Sequence, residues 1–293
     1  MSGERPGASL LTFDVLGQWL SIEIDDPAVM RGHPLVELPP RPPSLLRCAR
    51  DSELWSIHCG DMAIRDGLGE TDIAPIVEHL LVEYARARTK ATMLHAAMVS
   101  DGTAQAIVIC GDSGAGKSTL ALGLAAADYT AWSDDIVAIG EDGRAIAWRR
   151  WVSLDGSDMT PASRGWGKLF ERRVGRWQDV QRTWRRTERF AAFADTSCEP
   201  MTARAVVIVR AGTSARWQAL DRWTAIERIG AHRLGGCTQS HLQVATSLSA
   251  LTAGATIVAE LVTGSPEETL RALLAGLCPS ETPVGEEDAY ETA

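Results

Sequence analysis

Residues 106–124, AIVICGDSGAGKSTLALGL, decide the fold class of this 293-residue chain. A continuous apolar run is followed by a glycine-rich turn and then by an Ala/Leu-rich run. Such an apolar run is typical of a strand that is buried on both faces of a helix-covered sheet, and an Ala/Leu-rich run is typical of a helix. The stretch therefore predicts a strand–loop–helix unit in an α/β protein.

The turn between the two runs fits the pattern G-x-x-x-x-G-K-[ST], which indicates a loop that binds nucleotide phosphates. Its glycines let backbone N–H groups converge on phosphate oxygens, and the start of the helix adds partial positive charge. We expect Lys117 to contact the β and γ phosphates of ATP and the Ser118 hydroxyl to ligate Mg²⁺. Only three of the chain's 29 basic residues are lysines, so a lysine here indicates a geometric requirement. The predicted ATP-binding residues are consecutive: Gly111, Asp112, Ser113, Gly114, Ala115, Gly116, Lys117, Ser118 and Thr119.

Two further motifs lie on either side of this loop in the sequence. Downstream, Asp134 and Asp135 open the segment DDIVAI. Because successive side chains of a strand point to opposite sides, the two acids are expected to differ in their surroundings. Motor ATPases usually place an acid after a long apolar strand, whereas these acids precede one. This order favours transfer of a phosphate to a bound hydroxyl.

Upstream, His95 lies in MLHAAMV, on the predicted strand before the loop strand. A lone histidine on such a strand is more often a core residue than a site residue.

Taken together, the three motifs resemble the C-terminal catalytic domain of the HPr kinase/phosphorylase family. That family has a histidine on a hairpin strand, then G-D-S-G-x-G-K-S, a short helix and an Asp-Asp pair. This chain has His95, the loop 111–118 and Asp134-Asp135 in the same order. The match covers residues 91–140, and beyond it the likeness is only architectural. The family's second signature, an L-E-V-R-G-like segment used in dephosphorylation, is not found.

The resemblance implies a P-loop kinase that transfers phosphate from a nucleotide to a serine hydroxyl of a protein. It implies that Asp134 is the base for the acceptor hydroxyl, that Asp135 helps to hold Mg²⁺, and that His95 lies near the transferred phosphate. The region before the loop is shorter than in the bifunctional enzymes. In this compact form the chain resembles the kinases of lasso-peptide and other ribosomal peptide pathways, in which the serine belongs to a peptide.

The rest of the chain is interpreted in three parts. The pattern of residues 1–90 predicts a β-rich region followed by a bridging helix. The strands are expected in 9–25 and 44–69 and the helix over 71–87. We interpret this region as a candidate unit for recognising a partner. Residues 91–280 form the predicted P-loop catalytic domain, which ends in a strand and a helix capped by Ser265. Residues 281–293 are an acidic tail.

A basic, tryptophan-rich segment spans residues 144–189, with eleven arginines, one lysine, five acids and five of the ten tryptophans. Helical spacing is followed by five residues, which predicts an amphipathic helix over 167–190: Phe170, Val174, Trp177, Gln181 and Trp184. Such a helix is suited to clamp an acidic or aromatic peptide, although a helix that only buries its tryptophans explains the same pattern. After it, VVIVRAG (206–212) and WQALDRW (217–223) predict a strand pair.

Composition excludes several classes of protein. A net charge of −9 argues against nucleic-acid binding through phosphates. No run of 18 apolar residues and no signal layout are seen, so we expect a cytoplasmic protein without a membrane partner. The six cysteines lack C-x-x-C spacing, which predicts neither a zinc site nor a disulfide framework. A homo-oligomer is compatible with this composition.

Two alternatives to a peptide or protein kinase stay open at this point. One is a small-molecule kinase that uses the same loop, and the other is a P-loop NTPase without kinase activity. The segment GGCTQ (235–239) does not match the L-S-G-G-Q signature of transport ATPases, and the N-K-x-D motif of GTPases is absent. A degenerate binding protein accounts for the remaining possibility.

Overall fold

The chain folds into a mixed α/β structure. A computed structural model describes residues 8–16, 18–30, 45–101, 105–148, 152–155, 177–181, 186–190, 199–235 and 239–278. Within these residues the strands form three sheets. None of the described helices is both long enough and apolar enough to cross a bilayer.

The first sheet contains the first five strands in chain order. These are β1 (Ser9–Val15), β2 (Gln18–Ile24), β3 (Leu46–Asp51), β4 (Leu54–Cys59) and β5 (Met62–Leu68). Neighbours pair antiparallel except β2 and β3, which run parallel. Helix α1 (Glu70–Arg88) follows and buries one face against this sheet. The strands predicted in 9–25 and 44–69 and the helix predicted over 71–87 are thus confirmed.

Eleven further strands follow α1. They are β6 (Thr92–Ser100), β7 (Gln105–Gly111), β8 (Thr130–Ser133), β9 (Ile136–Ile139), β10 (Ala145–Ala147), β11 (Val152–Asp155), β12 (Trp177–Gln181), β13 (Arg186–Phe190), β14 (Thr202–Arg210), β15 (Arg216–Ala219) and β16 (Ile257–Val262). The central sheet has the order β10-β9-β6-β7-β14-β16-β15, and β8 also pairs with β6. Strands β7, β14 and β16 are parallel, and the other pairs of this sheet are antiparallel.

Four helices cover the two faces of the central sheet. They are α2 (Lys117–Ala126), α3 (Arg222–Ala231), α4 (His241–Gly254) and α5 (Pro266–Leu277). Helices α2 and α5 pack on one face, against Ile107 and Ile109 of β7. Helices α3 and α4 pack on the other face, against Val108 and Cys110. Strand β7 is therefore buried on both faces, as its apolar run predicts, and Ser265 caps α5 as expected.

The first sheet and the central sheet share a hydrophobic cluster. It contains Trp55 and Ile57 from β4 and the buried face of α1, together with Met93 from β6 and Ile136 from β9. All four named side chains are buried. Residues on both sides of position 90 therefore pack into one core.

Two predictions of the sequence analysis are wrong. The amphipathic helix over 167–190 is contradicted at residues 177–181 and 186–190, where β12 and β13 pair antiparallel and β13 also pairs with β11. Trp177, Val180, Thr187 and Phe190 are residue types that favour strands, and pairing within a sheet overrode the helical spacing. Residues 167–176 and 182–185 of this prediction lie outside the described residues.

The strand pair predicted for 206–212 and 217–223 does not form, because β16 lies between β14 and β15. Strand β14 is buried along most of its length and therefore belongs in the middle of the sheet. Strand β15 is mostly exposed, which suits the sheet edge that it occupies. The second half of WQALDRW starts α3 instead, with Asp221 as the N-cap.

Candidate active site

The phosphate loop connects the end of β7 to the start of α2. Gly114 and Gly116 have φ values of 79° and 100°, a left-handed conformation that glycine adopts without steric cost. Ala115 N–H donates to the Asp112 carbonyl (3.1 Å), which closes the bend. A Cβ on Gly111 would lie 2.5 Å from the Val209 carbonyl oxygen, so β14 passes too close for a side chain. The motif's glycines are therefore required by the local backbone.

Lys117 is the first residue of α2, and its side chain folds back over the loop. Its Nζ donates to the carbonyl oxygens of Gly111 (2.8 Å) and Asp112 (3.0 Å). Burial lowers the pKa of Lys117, and the negative charges of Asp135 and Asp134 oppose this shift. The ammonium thus lies within electrostatic reach of the aspartate pair. A buried cation held at a helix start is suited to attract an anionic ligand.

The aspartate pair forms the connection between β8 and β9. The Ser133 Oγ accepts hydrogen bonds from the backbone N–H groups of Asp135 (3.3 Å) and Ile136 (3.2 Å), which fixes the turn. The Asp135 carbonyl accepts from Ala96 N–H (3.0 Å) and anchors the turn to β6. Asp134 is only 5% exposed, whereas the side chain of Asp135 is 36% exposed. The two acids therefore have different surroundings, as expected for neighbours that point to opposite sides.

His95 lies on β6 beside this turn. Its Nε2 is 3.1 Å from Asp135 Oδ1, a distance at which an imidazole N–H donates to a carboxylate. The histidine side chain is 31% exposed, so His95 is not a core residue. The structure thus brings His95, Asp135 and Lys117 to one end of the central sheet, although the three motifs are separate in the sequence.

A second histidine, which the sequence analysis missed, lies at the same end of the sheet. His232 ends α3, and its Nδ1 is 3.6 Å from Asp112 Oδ1 of the phosphate loop. Its carbonyl accepts from His95 N–H (2.9 Å), and Leu234 N–H donates to the Met93 carbonyl (2.9 Å). The segment after α3 therefore pairs with β6. No motif or spacing in the sequence indicates this contact.

Burial lowers the pKa of His232. The negative charge of Asp112 opposes this shift, and the positive charges of Lys117 and His95 add to it. The free protein therefore favours a neutral imidazole at this position near neutral pH.

The residues expected to hold Mg²⁺ fit an ion that is also bound to a nucleotide, rather than an ion held by protein side chains alone. Among the described residues, no group of three or more His, Cys, Asp or Glu side chains could hold a metal ion by itself. Mg²⁺ bound to a nucleotide typically takes only one or two protein oxygens and completes its shell with phosphates and water. The Ser118 hydroxyl, one residue into α2, and the Asp135 carboxylate would supply that number of protein oxygens.

Comparison with known proteins does not assign the chain to a family. No family model matches the chain, and no curated protein matches it. The resemblance to the HPr kinase/phosphorylase family thus rests on the three motifs and stays a prediction.

Proposed function

We propose that this protein is an ATP-dependent kinase that transfers the γ-phosphate to a hydroxyl, that of a serine, on a peptide or protein. One observation carries the proposal: a phosphate loop, a buried lysine and a histidine–aspartate pair meet at one end of the sheet. His95 Nε2 lies 3.1 Å from Asp135 Oδ1, and Asp135 and Asp134 act electrostatically on Lys117. Phosphoryl transfer requires this combination of positioning, charge neutralisation and a nearby base.

In the proposed reaction, the loop N–H groups and Lys117 hold the β and γ phosphates. The acceptor oxygen forms a bond to the γ-phosphorus, the bond from that phosphorus to the β–γ bridging oxygen breaks, and ADP leaves. Asp134 takes the proton of the acceptor hydroxyl, and His95 orients Asp135 by its hydrogen bond. Bound Mg²⁺, held by Ser118 and Asp135, would supply charge neutralisation of the phosphates.

The acceptor class rests on the family resemblance, which favours a peptide such as a ribosomal peptide precursor. The basic, tryptophan-rich segment 144–189 would bind an acidic or aromatic acceptor, and most of this segment lies outside the described residues. Exposed groups at the site are compatible with a large acceptor, because the Asp112 side chain is almost fully exposed.

The first experiment tests binding and transfer together. The protein is incubated with ATP, Mg²⁺ and a panel of serine-containing peptides and small alcohols, and mass spectrometry identifies the acceptor that gains a phosphate. We expect a peptide to be phosphorylated, and we expect Lys117→Ala to lose both ATP binding and transfer. Lys90→Ala is the matched control, because Lys90 is an exposed lysine outside the site.

Each other outcome has a distinct meaning. If Lys117→Ala bound ATP as tightly as the unchanged protein, the loop would not be the nucleotide site. Phosphate on a small alcohol alone would identify a small-molecule kinase. ATP hydrolysis without any phosphorylated acceptor would identify an NTPase.

A further inference from the structure

We propose that His232 is part of the phosphate-binding site and that its imidazole binds the terminal phosphate of the nucleotide beside Lys117. This inference rests on the proposed function, because it assumes that the loop 111–118 binds ATP. It adds a residue from α3 to a site that the motifs build from β6, the loop, α2 and the β8–β9 turn.

The geometry places the imidazole against the loop. His232 Nδ1 lies 3.6 Å from Asp112 Oδ1, and the Asp112 carbonyl accepts from Lys117 Nζ (3.0 Å). The ring is therefore separated from the lysine by a single loop residue. The side chain is only 12% exposed, so it is held at the loop rather than extended into solvent.

The backbone hydrogen bonds of His232 do not involve its imidazole. His232 N–H donates to the Ile229 carbonyl (2.9 Å) at the end of α3, and the His232 carbonyl accepts from His95 N–H. Both bonds use the backbone, which any residue would supply. A side chain with a ring nitrogen turned to the phosphate loop thus has a role beyond ending the helix.

The charges around the imidazole determine how its protonation changes when a nucleotide binds. The charged and titratable groups that face His232 are Asp112 from the loop, Lys117 from α2 and His95 from β6. Without a nucleotide, burial and the positive charge of Lys117 favour the neutral ring. A triphosphate brings several negative charges to this position, which raises the pKa of the imidazole and lets it donate a charge-assisted hydrogen bond.

The sign of the pH dependence follows from this change. Because the pKa of His232 is higher in the complex than in the free protein, ATP binding takes up a proton. The affinity for ATP therefore increases as the pH falls through the pKa of the complex, and it levels off below the pKa of the free protein. ADP lacks the terminal phosphate, so its affinity should depend less on pH.

The test compares ATP and ADP binding by calorimetry across the neutral pH range in the full-length protein. We expect His232→Asn to weaken ATP binding roughly tenfold or more, to change ADP binding by less than about threefold, and to reduce the pH dependence. We expect His232→Lys, which restores a positive charge, to recover the preference for ATP without that pH dependence. His241→Asn is the matched control, because His241 is exposed at the start of α4.

A second measurement needs no variant. Calorimetry of the unchanged protein in two buffers with different ionisation enthalpies gives the number of protons taken up, and we expect more uptake with ATP than with ADP. Equal uptake with the two nucleotides would overturn the inference, as would an unchanged ATP-to-ADP affinity ratio in a folded His232→Asn protein. If the unchanged protein bound no ATP, the proposed function itself would fail, so the two failures are distinguishable.

Discussion

Asp134 and Asp135 are adjacent in the chain but differ in their surroundings. Asp135 is the more exposed carboxylate and is paired with His95, whereas Asp134 is only 5% exposed. A hydrogen-bonded, accessible carboxylate is suited to share a metal ion with a nucleotide. A carboxylate that is shielded from water is suited to take a proton from an acceptor that displaces the remaining solvent.

This difference predicts the effect of Asp134→Asn. We expect the rate of phosphate transfer to fall by about two to four orders of magnitude, since general-base catalysis contributes roughly that much. ATP affinity should stay within about threefold of the unchanged protein, because the amide keeps the shape of the side chain. Single-turnover transfer and nucleotide titration measure the two effects. Asp61→Asn, at the exposed β4–β5 turn, is the control. Transfer by Asp134→Asn at nearly the unchanged rate would disprove the assignment of the base.

Individual site residues were predictable where the local sequence dictates the local geometry. The phosphate loop follows from its own glycines, two of which have the left-handed φ that the motif requires. His232 was not predictable, because its contact with Asp112 depends on where α3 ends within the long connection from β14 to β16. That position is set by the packing of α3 and by the pairing of residues 232–234 with β6, and no sequence spacing encodes either.

The turn between β9 and β10 shows how one glycine fixes the position of an element. Gly143 has a φ of 78°, and a Cβ on it would lie 2.5 Å from the backbone nitrogen of Leu251 in α4. The turn is therefore packed directly against the backbone of α4. Gly60, in the β4–β5 turn, has a φ of 59° but no neighbouring atom within 4 Å of its Cβ position.

These two glycines give a matched pair of substitutions. We expect Gly60→Ala to lower the free energy of unfolding by about 1 kcal/mol, since only the left-handed backbone is penalised. Gly143→Ala should lower it by about 3 kcal/mol, because a steric clash with α4 is added to the same backbone cost. Chemical denaturation followed by circular dichroism measures both values. Equal losses for the two variants would show that the turn is not packed against α4.

Elements with clear local signals were predictable, and elements defined by pairing were not. Helix α1 carries the apolar spacing that predicts it, and helix α5 carries the capping residue Ser265. Helix α4 also begins with a local signal, the capping box formed by Ser240 and Gln243. Strands β12 and β13 lie in a segment whose apolar spacing also fits a helix. Strand β16 is distant in the sequence from β14 and β15, yet it lies between them in the sheet. Contacts across the sheet decide those cases.

At the scale of the whole molecule, the first sheet and the end of the central sheet that carries the candidate active site are coupled through one core. Ile136 follows directly after the aspartate pair, and its side chain packs in the same cluster as Ile57 of β4 and the buried face of α1. A loss of packing in the first sheet therefore affects the strand that positions Asp134 and Asp135. The described residues before position 90 therefore contribute to the core of the protein.

Ile57→Ala tests this coupling. Ile57 is fully buried in the first sheet, so we expect the variant to lower the free energy of unfolding by about 2–5 kcal/mol. Because the core is shared, denaturant should abolish ATP binding and the circular dichroism signal at the same, lower concentration. Leu54→Ala on the same strand is the control, since Leu54 is 54% exposed and its loss should cost little. If ATP binding by Ile57→Ala persisted to the denaturant concentration of the unchanged protein, the two sheets would unfold independently.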